Sequence, residues 1–345
     1  MATPFKNRVF GCAIVRSINS NYNADFTHQP RTLPDGTVYA TDKVLKYSVR
    51  NYLKKVWALD EKLFYFKNFS DEMLPRTLVE TYKSVFQKDL PKNEKAKKGA
   101  KSTEEGESEE VSSKAKKEIA QDLLSCIDVR LFGGTFAPKG EGDEAKGLNL
   151  SIHGPVQFTH GVDAYRKGSI FTEQIMSPFA DKKEKKTKDS DETETSTPGM
   201  TTLGSQSKLS EGHYVHHISV NPHNLDDLVR LSGGTALQTE DIAKLKSALC
   251  HGVTMYDSAA KAGTENELLL WVQLREGSML VLPSFVNLVK VANDEKRTID
   301  LSKIKEMLSR EAVKKEVEKI EIWFDSANTT VVGQPDGAIF HEING

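Results

Sequence analysis

The segment Asn19-Ser20-Asn21-Tyr22-Asn23 sets four amide and hydroxyl side chains around one phenol, directly after an apolar run. Asparagine both donates and accepts hydrogen bonds and tolerates turn conformations. A tyrosine ring can stack on a nucleobase. At a sheet edge such a loop suits the grip of a single RNA strand. The same residue types also build an ordinary capped turn. Just beyond it, Lys43, Lys46, Arg50 and Lys54 recur at helical spacing and form one cationic stripe. Leu45, Val49, Tyr52, Leu53 and Val56 fall on the opposite side. Each Lys or Arg that neutralises a phosphate releases counterions, which gives affinity without base specificity. A plain solvated face is the competing reading of the stripe.

Two further motifs bear on the same chemistry. Phe132-Gly133-Gly134-Thr135-Phe136 pairs glycines that let a backbone approach phosphate closely. It lacks the Rossmann spacing and the Gly-Lys-Ser/Thr of a P-loop, and a turn between strands accounts for it equally. Residues 175–179 and 200–204 read as the two arms of a hairpin. Met200, unbranched and adaptable, can wedge between bases or pack within that hairpin.

Catalytic constellations are poor. His216 and His217 are neighbours, so in a strand they face opposite ways and cannot share a metal. His153, His160 and His213 have no ligand-like spacing with acids. Asp25 stands in the N-terminal loop as a lone carboxylate, thin support for RNA cleavage. No metal, no cofactor and no enzymatic activity are expected. Cys12, Cys126 and Cys250 are far apart and read as buried thiols. No signal-like start and no membrane-length apolar run is found, which points to a cytoplasmic protein without membrane attachment.

The elements that must position these residues follow from pattern. Of 345 residues, 38% are hydrophobic and 28% charged, ordinary for a globular protein of net charge −2. Charge is uneven: residues 1–60 hold nine Lys/Arg against four acids, +5, so the remainder carries −7. A basic N-terminal region suggests one face for a polyanion. Residues 92–117 and 181–199 are charged, low-complexity tracts without aromatics, read as disordered insertions. Residues 9–18 form an apolar run expected of a strand buried on both faces, and residues 39–57 a helix with Thr41 or Asp42 as N-cap. Strands are predicted at residues 125–131, 148–152, 214–220 and 267–274, and a helix at 239–253 with Ile242, Leu245 and Leu249 inward. A final helix at 302–319 and a strand at 320–324 lie beyond. The order is that of a ferredoxin-like βαββαβ unit, an α+β fold that underlies the RRM. No internal repeat is found.

These residues carry a resemblance. Asn7-Arg8-Val9-Phe10-Gly11, the run from Arg16 through Asn19-Ser20-Asn21-Tyr22-Asn23-Ala24-Asp25-Phe26, Pro30-Arg31-Thr32-Leu33-Pro34-Asp35-Gly36 and Tyr39-Ala40-Thr41-Asp42-Lys43 are similar to the opening of the crRNA-backbone family of type I CRISPR effector complexes, closest to the I-B branch. Arg130-Leu131-Phe132-Gly133-Gly134-Thr135-Phe136, Gly154-Pro155-Val156-Gln157 and His213-Tyr214-Val215 agree. The resemblance fails in the two charged tracts. It implies an RRM-like palm (1–60, 125–174 and 213–345), a fingers insertion (61–124) and a thumb hairpin (175–212). It also implies several copies in a filament along one crRNA, other Cascade subunits as neighbours, and target DNA read through the guide in antiviral defense. Carried onto this chain, Asn19, Asn21, Tyr22 and Asn23 contact the RNA backbone. Arg31, Lys43, Lys46 and Arg50 bind phosphates, Gly133 and Gly134 allow close approach, and Met200, Thr201 and Thr202 form the thumb contact. Two alternatives stand beside this: a metal-dependent endoribonuclease using Asp25, and a monomeric RRM-type RNA-binding protein.

Overall fold

The computed structural model of the chain describes residues 3–91, 105–138, 147–180 and 200–344. The tract at 181–199 and residues 92–104 of the first tract lie outside the described residues. In chain order, β1 is Val9–Ser20, β2 Tyr39–Ala40, α1 Asp42–Val56, α2 Leu78–Phe86, α3 Glu105–Leu124 and α4 Ile127–Phe132. Then come β3 (Gly133–Phe136), β4 (Leu150–His153), β5 (Val156–Phe158), β6 (Gly161–Asp163), β7 (Ile170–Ala180) and β8 (Met200–Val220). A short 3-10 turn leads to α5 (Asp226–Ser232), followed by α6 (Thr239–His251) and β9 (Thr264–Leu274). The C-terminal part holds β10 (Lys290–Val291), β11 (Ile299–Asp300), α7 (Ser302–Leu308), α8 (Glu311–Lys314), β12 (Val317–Phe324), β13 (Val331–Val332) and β14 (Ile339–Glu342).

One large mixed sheet organises the chain. Its order is β14-β12-β9-β1-β8-β6-β2, with β5 and β7 also paired to β8. β1 lies between β8 and β9, antiparallel to both. The apolar run that opens the sequence is therefore central, and its alternate residues feed two cores. Val9, Ala13 and Val15 join α1 and α6 on one face. Phe10, Cys12 and Ile14 join Leu282, Phe285, Ile304 and Leu308 on the other. A third core, around Phe64, Tyr82, Ile119, Leu123 and Phe136, holds α2, α3 and α4 together. Each large side chain removed from water contributes about 1.5–3 kcal/mol before entropy is charged against it.

Helix α1 starts at the expected cap, Thr41, and buries Val44, Leu45, Val49, Tyr52 and Leu53. Val56, expected inward, is 44% exposed. Helix α6 buries Ile242, Leu245 and Leu249 as read from the pattern. Three expectations are corrected. Residues 125–131 form helix rather than strand: Ile127, Val129 and Leu131 alternate with Asp128 and Arg130, the period of a strand, but both charged residues are buried against distant partners in the helix. The tract read as a loop to residue 117 is helical from Glu105, because Ala115, Ile119, Ala120 and Leu123 give it an apolar side to bury. The single C-terminal helix is two short ones, interrupted at Ser309 and Arg310. From Val317 the chain alternates and pairs with β9 instead. Cys12, Cys126 and Cys250 are free and buried, as expected. Among the described residues no helix is long and apolar enough to cross a membrane.

Candidate nucleic-acid interface

Four segments converge where β1 ends. The first is the turn itself. Asn19 is exposed and sits at φ 47°, a left-handed conformation that asparagine tolerates. Asn21 is buried, with Nδ2 donating to the carbonyls of His28 at 3.2 Å and Ser207 at 3.1 Å. Tyr22 is fully buried, its ring 5.2 Å from that of Tyr214 and edge-on to His216. Asn23 Oδ1 accepts from the Thr41 backbone N at 2.9 Å and from the Thr41 hydroxyl at 3.0 Å. That last contact matters most for the site. Thr41 makes no side-chain cap of its own, so the turn binds the first residues of α1 and the two elements lie side by side.

The second segment is α1, whose cationic stripe is split in two. The Lys43 side chain is 81% exposed, with Asp42 3.1 Å away. Lys54 is exposed above the Phe66 ring. Lys46 is mostly covered: it bonds Gln157 at 3.2 Å, lies 3.6 Å from Asp42 and rests over Phe132. Burial pulls its ammonium below the ordinary lysine range despite Asp42. Arg50 pairs at 3.2 Å with Asp128, a fully buried carboxylate, and also lies over Phe132. Lys46 and Arg50 therefore act mainly within the protein, a correction to the stripe as a continuous phosphate track.

The third segment is a β-ribbon. β1 ends its pairing at Ser20↔Leu209, and from that point outward β8 pairs with β7 alone. The two arms expected at 175–179 and 200–204 are joined, with Ile175↔Gly204, Met176↔Thr202 and Ala180↔Met200. Met200, Thr201 and Thr202 thus lie at the outer end of β8. The fourth segment is the loop between α6 and β9. Its Ala260 carbonyl accepts from Asn21 N at 2.7 Å and its Ala259 carbonyl from Gln206 at 3.4 Å. Lys261 in this loop donates to the Tyr22 carbonyl and lies over the rings of Tyr22 and Tyr256. Sequence reasoning passed it over, since nothing in Ser-Ala-Ala-Lys-Ala-Gly marks one lysine among many.

Other predicted residues fall elsewhere. Tyr22 cannot stack on a base from inside the core, and Asn21 Nδ2 and Asn23 Oδ1 are held by the fold. Arg31 is half-buried and donates to the Ala24 carbonyl at 3.1 Å. Gly133 has φ 65°, and a Cβ there would sit 2.1 Å from the Ile152 carbonyl oxygen; one on Gly134 would strike the Tyr65 ring. Both glycines serve the pairing of β3 with β4 and its close packing. Phe132 and Phe136 are buried and pack.

Catalytic candidates are likewise occupied. Asp25 Oδ1 accepts from the Thr27 hydroxyl, the Thr27 N and the Gln29 N. The Thr27 hydroxyl leads in holding its carboxyl below the usual range. His216 and His217 lie in opposite cores, each pushed down to about 4 by burial. Among the described residues no group of three His, Cys, Asp or Glu could hold a metal.

At the ribbon base His213 is buried, with Nδ1 2.6 Å from Glu267 and Nε2 3.3 Å from Glu211. Arg297 pairs with Glu211, and Arg16 stands 4.0 Å from Glu267. Burial opposes the imidazolium, but the Glu267 hydrogen bond and charge, with Glu211, outweigh it and raise the pKa. A group raised on folding stabilises fully below its unfolded pKa of about 6.5 and loses that contribution as pH rises through the folded value. The melting temperature of the wild type is therefore expected to fall as pH climbs above about 6.5, and that of His213→Gln to fall less. Parallel curves in thermal melts followed across pH would refute this.

The comparisons with known proteins accord with this architecture. The family model described as "CRISPR-associated protein Cas7" matches residues 7–309. A solved chain titled "CRISPR RNA-guided surveillance complex, pre-nicking" is similar at TM-score 0.56 and 16% identity, over 98% of this chain and 97% of that one. A second, titled "CRISPR RNA-guided surveillance complex", gives TM-score 0.47 and 14% identity over 95% of each chain. No curated protein matches. With its fold shared with a surveillance-complex chain and the family pattern running through nearly its whole length, the chain belongs to the CRISPR-associated Cas7 family.

Proposed function

We propose that this chain is the repeated backbone subunit of a type I CRISPR surveillance complex, closest to the I-B branch, and that it holds the guide RNA for target DNA pairing without performing catalysis. Membership of the Cas7 family supports the role. The observation that carries the geometry is the Asn23–Thr41 contact, which sets the N-terminal turn against the start of α1. Asn19 and Lys43 flank that junction and are exposed, Lys54 is exposed about three turns further along α1, and the β7–β8 ribbon leaves β1 at Ser20↔Leu209. In this reading β9-β1-β8 with α1 and α6 is a ferredoxin-like palm, and the ribbon is a thumb whose Met200, Thr201 and Thr202 reach a neighbouring segment of RNA.

The monomeric RRM-type alternative is disfavoured by the second sheet face. RRMs stack bases on an open sheet, whereas here Phe10, Ile14 and Val215 lie beneath residues 282–331. The endoribonuclease alternative is disfavoured by the turn bonds that occupy Asp25. RNA cleavage by the purified chain with a divalent metal, abolished in Asp25→Ala, would restore it.

Salt-dependent binding tests the proposal. Each phosphate contact on a single strand contributes about 0.7 to the slope of log affinity against log salt. The double variant Lys43→Ala/Lys54→Ala is expected to reduce that slope by about 1.4 and to weaken all RNA sequences alike. Lys46→Ala with Arg50→Ala is expected to cost stability more than affinity. Sequence-selective loss from the first pair, or an unchanged slope, would contradict phosphate binding on this face.

A further inference from the structure

We propose that Lys261 is a phosphate ligand of this chain, presented by the loop between α6 and β9 at the point where the N-terminal turn and the ribbon base meet. The inference rests on the RNA-binding reading above and adds a residue from a distant part of the sequence. Three observations place it. Lys261 is only partly exposed, and its ammonium lies 5.5 Å from the centre of the Tyr22 ring and 6.0 Å from that of Tyr256. Among the described residues it has no carboxylate partner, and the Tyr22 carbonyl is the oxygen that accepts from it. Its loop is tied to both neighbours, through Asn21 N to the Ala260 carbonyl and Gln206 to the Ala259 carbonyl.

A lysine has three N–H donors and seeks counter-charge when it is withdrawn from water. The two covered cations of α1 satisfy that demand internally: Lys46 faces Asp42 and Arg50 faces Asp128. Lys261 does not. The groups that face it are the aromatic rings of Tyr22 from the turn and Tyr256 from its own connection. Ring faces attract a cation but do not neutralise it, whereas a bound anion supplies a full counter-charge. Burial brings its pKa down to about 8. A phosphate brought to this seam supplies the missing negative charge and restores the ammonium.

The test uses the purified full chain and a fluorescently labelled unstructured single-stranded RNA, with affinity measured over a range of salt and pH. Lys261→Ala is expected to weaken binding about tenfold, independently of sequence, and to lower the salt slope by about 0.7, one phosphate's worth. Lys261→Arg, which stays charged, is expected to keep the slope. Wild-type affinity should fall as pH rises past about 8, while that of Lys261→Arg stays level. Wild-type binding with an unchanged slope in Lys261→Ala would overturn the assignment and leave the RNA-binding reading intact. Failure of the wild type to bind RNA would overturn both. If Lys261→Ala does not fold, the pH comparison of wild type with Lys261→Arg decides, together with amine acylation of the wild type: RNA should protect Lys261, and equal acylation with and without RNA would count against it.

Discussion

Arg130→Ala is expected to destabilise the fold by about 3–5 kcal/mol, the cost of leaving buried charge without its partner. The side chain is 8% exposed, and all five guanidinium donors are used. It binds Asp241 through Nε at 2.9 Å and Nη2 at 2.8 Å, a bidentate fork. It also reaches Glu61 at 3.3 Å and the carbonyls of Leu124 and Ser125 at 3.2 and 2.8 Å. Removal strands Asp241, which is 2% exposed, and leaves Glu61 to Lys244 alone. The contact joins α4, from the region around the third core, to α6, which packs on the main sheet. Chemical denaturation of the variant should show the midpoint displaced far below that of the wild type. A loss under about 1 kcal/mol would mean that the fork contributes no more than an exposed ion pair.

The second large effect separates two roles for Tyr22. Its ring fills a closed space against Tyr214 and His216, so Tyr22→Ala is expected to cost about 3–5 kcal/mol, as for other large-to-small core changes. Tyr22→Phe keeps the ring and gives up a long hydrogen bond to His216, 3.4 Å, so about 1 kcal/mol or less is expected. RNA affinity of Tyr22→Phe should match the wild type. A base-stacking tyrosine would behave oppositely, with Tyr22→Ala folding normally and losing affinity. Paired denaturation and binding titrations of the two variants distinguish these outcomes.

How much of this was legible in the sequence depended on whether a residue's partner was local. β1, α1, α6 and β9 follow from hydrophobic period and capping, which are local properties, and they appear with boundaries close to those expected. α4 departs from the expected strand because Ile127, Val129 and Leu131 alternate with Asp128 and Arg130 as in a strand, and what decides its helix is distant: Asp128 accepts the backbone N–H groups of Phe64 and Tyr65. The turn and α1 do adjoin, yet the contact that joins them uses an asparagine expected to reach for RNA. Tyr22, Gly133, Gly134 and Arg50 carry residue types that suit nucleic acid, and each is packed or paired against a part of the chain far away in sequence. Lys261 had no local signal because its setting is assembled from the N-terminal turn and its own loop.

RNA of graded lengths, mixed with the purified chain and weighed as intact complexes by native mass spectrometry, tests the central claim most directly. A backbone subunit predicts that the number of protein copies per RNA rises in regular steps as the strand lengthens. A complex that holds one copy at every length would contradict it.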